Sequence, residues 1–457
     1  MMYDLIILGG GPAGYVAAHK AGMAGKSVLV IEQSQIGGVC LNAGCIPTKT
    51  LLYSAKNYKS IVEGHFHGIE ATKPAFSMKE AMQWKEKVVQ TYRKGIFSLF
   101  EQANVTYINA KGKLVDRSTV SVGSELYSAK NILIATGSRP AVPPIAGLEG
   151  NPYVLTSTQL LEQEDPIEHL VIIGAGVIGL EFADLYTMLG FNVTVIEMLD
   201  QIASIVEPEI QKLLKRNLSK VQFELGAKVT KVEENTITYT KSGETKTIKA
   251  DKILLATGRV PNTEEIGLEA CNIKTKGRYI LVNNRMETSC PRVFAAGDVV
   301  GTSLFAHSAS RMGLIAVDVL LGNRNAEMEY HAIPWAIYTW PEVAGCGYTE
   351  EQAKEKGLKV LTASVPMRLS ARYYAEQGTT ASLVKLVMDE DSHVLVGAQM
   401  IGSNASEMIW GATMAINLGI RVEEMASTIF AHPTISEVIG DALNILIQQS
   451  KRRAGHV

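Results

Sequence analysis

One pattern occurs twice in this chain, in the same register, and it constrains the fold more than any other feature. An apolar run, Asp4-Leu-Ile-Ile-Leu8, meets glycines at Gly9, Gly11 and Gly14; a helix-forming stretch follows, and a second apolar run from Ser27 ends in Glu32. The second copy runs from Leu170 to Ile173, then Gly174, Gly176 and Gly179, a helical stretch, and Val193 to Glu197. Both glutamates stand 23 positions after the first glycine (9 to 32, 174 to 197). Continuous apolar runs read as buried parallel strands. In such a unit the first glycine permits a tight turn, the second lets backbone approach a pyrophosphate, and the third allows close helix–strand packing. The helix N-terminus offers phosphate free N–H groups and a favourable dipole, and the acid takes ribose hydroxyls. A single such loop is weak evidence, because a packing turn explains it. Recurrence of strand, glycines, helix, strand and acid in register is a structural context that packing alone explains poorly. Two units predict two dinucleotide sites.

Each copy closes on a similar tag, Ile132-Leu-Ile-Ala-Thr-Gly137 and Ile253-Leu-Leu-Ala-Thr-Gly258. Thr136, Gly137 and Gly258 therefore join the positions expected to face a cofactor. The tag comes later in copy one, so an insertion lies there. A third block contains Val293-Phe-Ala-Ala-Gly-Asp298, a short apolar strand whose aspartate falls where ligands bind in open α/β sheets. A turn aspartate explains it equally well. Phe305 to Leu320 reads as a helix. The last block has no glycine fingerprint and alternates strand-like runs (383–388, 393–399) with helical ones (406–418, 435–449). The expected fold class is α/β: two Rossmann-like dinucleotide-binding domains plus a C-terminal α+β domain. The expected division is 1–145, 146–261, 262–335 and 336–457.

Hydrophobic residues make up 46% of 457, enough for several cores. Lys+Arg of 44 against Asp+Glu of 46 gives a formal charge of −2, which favours neither nucleic acid nor an anionic membrane as partner. Lys451-Arg452-Arg453 reads as a solvated tail. No run approaches the roughly 20 apolar residues of a membrane span. Leu5 to Leu8 is too short, and too close to Asp4, for a signal peptide. The expectation is a soluble, cytoplasmic chain.

Of five cysteines, Cys40 and Cys45 lie close together, in the insertion of copy one. Such a pair in a chain of this kind reads as redox-active or metal-binding. In a regular helix, residues five apart have Cα atoms roughly 8–9 Å apart. A disulfide needs less than about 7 Å, so an oxidised pair requires a distortion that Asn42 and Gly44 tolerate. If Cys40 lies near a helix start, the dipole favours its thiolate. Zinc on Cys40, Cys45, His65 and His67 is the metal alternative, but histidines separated by one residue are off-pattern. Two unrelated buried cysteines are the plainer one. His432 precedes Pro433, and Glu437 follows five positions later. Proline suits the first turn of a helix, so His432 is expected on the loop just ahead of it and Glu437 on the helix. A carboxylate on one ring nitrogen orients the other and raises its basicity; a helix-capping arrangement explains the pattern nearly as well.

Taken together, the segment 37–49 (Gly-Gly-Val-Cys-Leu-Asn-Ala-Gly-Cys-Ile-Pro-Thr-Lys), Phe294 to Asp298 and His432 to Glu437 carry a resemblance that spans essentially the whole chain. The chain resembles the flavoprotein disulfide reductases of the pyridine nucleotide–disulfide oxidoreductase class I family, and among them the members that oxidise dihydrolipoamide. The resemblance implies FAD on Gly9, Gly11, Gly14 and Glu32, and NAD on Gly174, Gly176, Gly179 and Glu197. Glu197, followed by Met198 and Leu199 rather than arginines, itself favours NAD over NADP. The resemblance makes Cys45 the thiol against the flavin and Cys40 the thiol that exchanges with substrate. Lys49 would sit near flavin N5, paired with Glu181. Asp298 would hold the ribityl chain, and the helix near Phe305–His307, with Ala306 among the cofactor-binding positions, would direct its N-terminus at the flavin N1 region. It also implies a C-terminal dimerisation domain, a homodimer with His432 and Glu437 supplied by the partner subunit, and no catalytic metal. Its implied partners are lipoyl domains of 2-oxo acid dehydrogenase complexes or of the glycine cleavage system. No lipoyl-bearing extension is expected ahead of the first strand. Two stretches depart from the family pattern: Ser308 to Met312 lacks an acid before Gly313, and Ser370 to Glu376 is unusual.

Two other readings compete. A reductase of glutathione-like, mercuric or other disulfide substrates would keep the fold, but Glu197 disfavours NADPH and no cysteine pair follows Ile447. A non-catalytic flavin-binding scaffold would not need Cys40, Cys45 and His432 intact.

Overall fold

The computed structural model describes residues 2–64, 68, 71–165, 167–453 and 455. The apolar runs of copy one form the middle of its first sheet. Met2–Leu8 lies between Val28–Glu32 and Glu125–Ile134, parallel to both. Leu5 to Leu8 and Val28 to Ile31 are each no more than 2% exposed, so neither run alternates with polar residues. Thr106–Asn109 extends one side of this sheet, and an antiparallel meander through Thr119–Val122 and Gly112–Asp116 extends the other. Val293–Ala295, from the third block, pairs parallel to Glu125–Ile134. The carboxyl ends of the strands that lead to Gly9, the tag and Asp298 therefore lie together at one end of this sheet.

Copy two builds a second sheet of five parallel strands, in the order Val221–Glu224, Asn192–Ile196, His169–Ile173, Lys252–Leu255 and Val154–Thr156. In both sheets the strand entering the glycine loop is flanked by the strand that leads to the glutamate on one side and the tag strand on the other. An antiparallel meander over Ala227–Glu233, Thr236–Lys241 and Glu244–Lys249 accompanies the second sheet. Beyond their tags the copies meet: Ser138–Pro140 and Arg259–Pro261 pair antiparallel.

The last block forms a five-stranded antiparallel sheet: Trp335–Ile337, Glu342–Gly347, Leu395–Gly402, Leu383–Asp389 and Val360–Val365. Helices Ala405–Leu418 and Glu437–Arg453 share one apolar core with it. One local expectation changes here. The helix begins at Glu437, so Pro433 stands outside its first turn, after a cis His432–Pro433 peptide. Lys451, Arg452 and Arg453 are exposed, and they form the final helical turn. They complement the helix dipole there, and Arg453 Nη1 lies 2.7 Å from Glu390. Among the described residues, no helix is long and apolar enough to cross a membrane.

Candidate active site

The cysteine segment is two helices rather than one. Gly38–Ala43 carries Cys40, and Cys45–Val62 begins at Cys45. Between them, Gly44 has φ −151° and ψ −109°, and a Cβ there would stand 2.9 Å from the carbonyl oxygen of Val39. The break supplies the distortion that the C-x4-C spacing required. Asn42 does more than tolerate it. Its Nδ2 donates to the carbonyls of Ile36 and Gly38 at 3.0 and 2.8 Å, and Arg93 Nε donates to its Oδ1.

The two thiols are unequal. Cys45, not Cys40, opens the long helix, so the free N–H groups and dipole of an 18-residue helix act on its sulfur. The Cys40 thiol donates to it, and the Lys49 ammonium adds an attraction; together these outweigh burial and nearby Glu181, and hold Cys45 down to about 7. Cys40 moves the other way, because its proton is held in the hydrogen bond to Cys45 and burial disfavours its anion. Both are free thiols here.

Lys49 lies one turn after Cys45 on the same helix. Its Nζ is 2.9 and 2.8 Å from the two carboxylate oxygens of Glu181, on helix Val177–Met188 of the second unit. Glu181 is almost fully buried and also accepts the Tyr338 N–H at 3.0 Å.

The glycine loops repeat in atomic detail. Gly9 and Gly174 have φ of 107° and 109°, and a Cβ on either would strike the tag carbonyl of Ala135 or Ala256 at 2.2 or 2.4 Å. A Cβ on Gly14 or Gly179 would meet the carbonyl of Gly9 or Gly174 at 1.9 or 2.0 Å. The middle glycines differ: nothing lies within 4 Å of a Cβ on Gly176, and the nearest atom to one on Gly11 is 3.8 Å away. Protein packing does not require glycine there, whereas the close approach of a pyrophosphate does. Both acids hold their own loops. Glu32 accepts from Gly10 N and Ser34 N, each at 2.7 Å, and Glu197 accepts from Ala175 N at 2.7 Å and Leu199 N at 2.9 Å. The cradles fit dinucleotides.

Other expected positions fall around the first cradle. Thr136 donates its hydroxyl to the Asn262 carbonyl at 2.7 Å, so its side chain is used within the protein. Gly137 and Gly258 turn the chain at φ of 69° and 110°. Asp298 accepts from Ser138 Oγ and lies 3.7 Å from Arg259 Nε. Burial lowers the Arg259 guanidinium, which feels both Asp298 and Cys45. Helix Ala306–Leu320 starts within the expected stretch, with Phe305 as its N-cap. Arg93, Arg259, Ser138, Asn262 and Tyr338 escaped the sequence reading, since each acts through a partner distant in sequence.

His432 and Glu437 form their pair, Nδ1 to Oε1, at 2.9 Å, and Glu437 Oε2 accepts the Thr434 N–H at 2.8 Å. The Thr434 N–H, and then His432, hold the Glu437 carboxyl below the usual range. Within one chain this pair does not join the cysteines: the His432 side chain is 76% exposed. The same domain presents an apolar stripe at helical spacing, Trp410, Met414 and Leu418, which are 68%, 43% and 66% exposed. Among the described residues, no group of three or more His, Cys, Asp or Glu could hold a metal. His65 and His67, half of the zinc alternative, lie outside the described residues.

The pyridine nucleotide-disulphide oxidoreductase family matches residues 3–313, and the dimerisation domain of the same family matches 333–443. A dihydrolipoyl dehydrogenase of Geobacillus stearothermophilus is 37% identical over 455 residues, covering 97% of this chain and 96% of its own. One from Thermus scotoductus is 36% identical over 458 residues, covering 98% of each. Among solved structures, LpdA of Mycobacterium tuberculosis superimposes with a TM-score of 0.89 at 26% identity, covering 97% of this chain and 99% of its own. The HOCl-induced flavoprotein disulfide reductase RclA of Escherichia coli, as its Cu(II) complex, gives 0.87 at 28% identity, covering 98% and 100%.

Proposed function

The chain belongs to the pyridine nucleotide-disulphide oxidoreductase family, and from that premise we propose that it oxidises protein-bound dihydrolipoamide to lipoamide with NAD+ as acceptor. It is an NAD-dependent flavoprotein and a homodimer. The observation that carries the reading is the inequality of the two thiols, with Cys45 at the start of the long helix beside Lys49.

The residues divide the work as follows. His432 Nε2, oriented by Glu437 on Nδ1, takes the proton from one substrate thiol. The substrate thiolate attacks Cys40 Sγ of the oxidised pair, and Cys45 leaves as a thiolate, stabilised by the helix N-terminus and Lys49. The second substrate thiol then displaces Cys40 and closes the cyclic disulfide. Substrate has lost two electrons and two protons; the protein holds one proton on Cys40 and one on His432, with Cys45 ionised. FAD would be held by Gly9, Gly11, Gly14, Glu32 and Asp298 and NAD+ by Gly174, Gly176, Gly179 and Glu197, and when bound they would supply two-electron acceptor chemistry. Lys49, paired with Glu181, keeps a positive charge beside the redox centre throughout.

His432 belongs on the opposite side of the cysteines from the cofactor. Its exposure in the single chain, on the domain with the open apolar stripe, supports its delivery from the second subunit. The proposed division is an FAD domain (1–145 with 262–335), an NAD domain (146–261) and a dimerisation domain (336–457). We assign its partners as lipoyl domains of 2-oxo acid dehydrogenase complexes or of the glycine cleavage system, in the cytoplasm. The likeness to RclA favours one alternative, a reductase of another small disulfide. A steady-state comparison of dihydrolipoamide and glutathione, each with NAD and NADP, decides. Dihydrolipoamide with NAD+ should be faster by orders of magnitude; turnover of glutathione disulfide with NADPH at a higher kcat/KM would replace this reading by the alternative.

A further inference from the structure

The short segment after strand Trp335–Ile337 touches the redox helix and the second unit in a repeated way. Tyr338 donates its N–H to Glu181 Oε1 at 3.0 Å, and its ring lies under Lys49 Nζ at 4.5 Å. Trp340, two residues on, donates its N–H to Asp184 Oδ2, and its ring lies under Lys56 Nζ at 3.6 Å. Glu181 and Asp184 are three residues apart on helix Val177–Met188, hence on one face; Lys49 and Lys56 are seven apart on helix Cys45–Val62, again on one face. Each aromatic residue is thus gripped twice, by a carboxylate of the second unit through its backbone and by a lysine of the cysteine helix through its ring. Asp184 is almost wholly buried, a costly place for a carboxyl unless a fixed donor faces it.

The geometry points to Tyr338 and Trp340 as a positioning clasp that fixes the Lys49 ammonium against the Cys45 thiolate. The Lys49 side chain is 31% exposed and would otherwise sample solvent. The Tyr338 ring removes that freedom on one side and Glu181 on the other, while Trp340, Asp184 and Lys56 fix where Tyr338 lies. A cation over an aromatic face is attracted by the ring quadrupole, which holds it in place. The titratable groups whose charges meet at Cys45 are Cys40, Lys49, Glu181, Tyr15, Tyr338 and Arg259. Only Lys49 and Arg259 are cationic, so loosening Lys49 weakens half of the positive field.

This inference rests on the reading of Cys45 as the flavin-side thiol, and its test does not use turnover. In FAD-loaded Cys40→Ser protein, the lone Cys45 thiolate is titrated by its long-wavelength absorption with the flavin. Tyr338→Leu should raise the midpoint by about half a unit, roughly a threefold change in the thiolate equilibrium, and Tyr338→Phe, which keeps the ring, should restore it. Should Tyr338→Leu not fold, Lys56→Met tests the clasp from its solvent side. Lys56 lies about 16 Å along the helix from Cys45, beyond a Debye length, so its own charge is largely screened. A raised midpoint there reports the mechanical link through Trp340, and restoration by Lys56→Arg confirms it. A folded Tyr338→Leu protein, or failing that Lys56→Met, with an unmoved midpoint overturns the clasp. Absence of the band in Cys40→Ser itself would instead overturn the reading of Cys45.

Discussion

The protein contains two cysteine pairs whose thiols touch, and their surroundings differ in every respect that controls reactivity. Cys40 and Cys45 are partly exposed, Cys45 heads a long helix, and a lysine stands one turn away. Cys271 and Cys290 are 8% and 7% exposed, in an apolar cluster with Leu268, Ile273 and Val293. There, burial first, and then the neighbouring Cys290 and Asp116, push Cys271 up to about 11, whereas Cys45 is held at about 7. Proximity of two sulfurs is common to both pairs. What separates them is a helix start, a cation and an asymmetric hydrogen bond, which give one pair a stable thiolate and leave the other as inert packing.

The comparison can be broken in three places. The largest effect is expected from the base that only the first pair is proposed to receive. His432→Gln should lower dihydrolipoamide oxidation by on the order of 10²–10⁴-fold while the Cys45 titration stays in place; a shift in that titration would mean His432 acts on the thiolate rather than on substrate. Next, Lys49→Met should raise the Cys45 midpoint by about one unit, because removing a nearby cation disfavours the anion. The thiolate at neutral pH then falls roughly fivefold and returns as pH rises, so the deficit in rate should shrink at alkaline pH. A deficit independent of pH would assign Lys49 another role. The smallest effect belongs to the second pair. Cys271→Ser should leave turnover within about twofold and cost about 1 kcal/mol of stability for burying a hydroxyl in place of a thiol, read by denaturant melts. A large loss of activity with an unchanged melt would show the two pairs to be coupled.

Much of this was legible in sequence where function is written in local spacing. The glycine loops, the acids 23 positions on and the tags recur together because the first glycine packs on the tag carbonyl and the acid binds the loop N–H groups. The C-x4-C segment announced its own break at Gly44. Less legible were features set by the fold. Cys45 rather than Cys40 receives the helix dipole, which depends on where the second helix starts. Pro433 does not open the last helix. Arg259 beside Asp298, and Tyr338 and Trp340 on Glu181 and Asp184, link residues 156 or 157 positions apart or sheets that meet only after their tags, and no periodicity announces such contacts.

The central claim is that the two active-site cysteines hold different protonation states and different jobs. It is tested most directly by titrating the long-wavelength thiolate–flavin absorption in Cys40→Ser and Cys45→Ser proteins side by side. With the Cys40 donor gone, the helix start and Lys49 still predict a band in Cys40→Ser with a midpoint below the ordinary thiol value of 9.0, and no band at any pH in Cys45→Ser. A band in Cys45→Ser, or a Cys45 midpoint near the ordinary value, would contradict it.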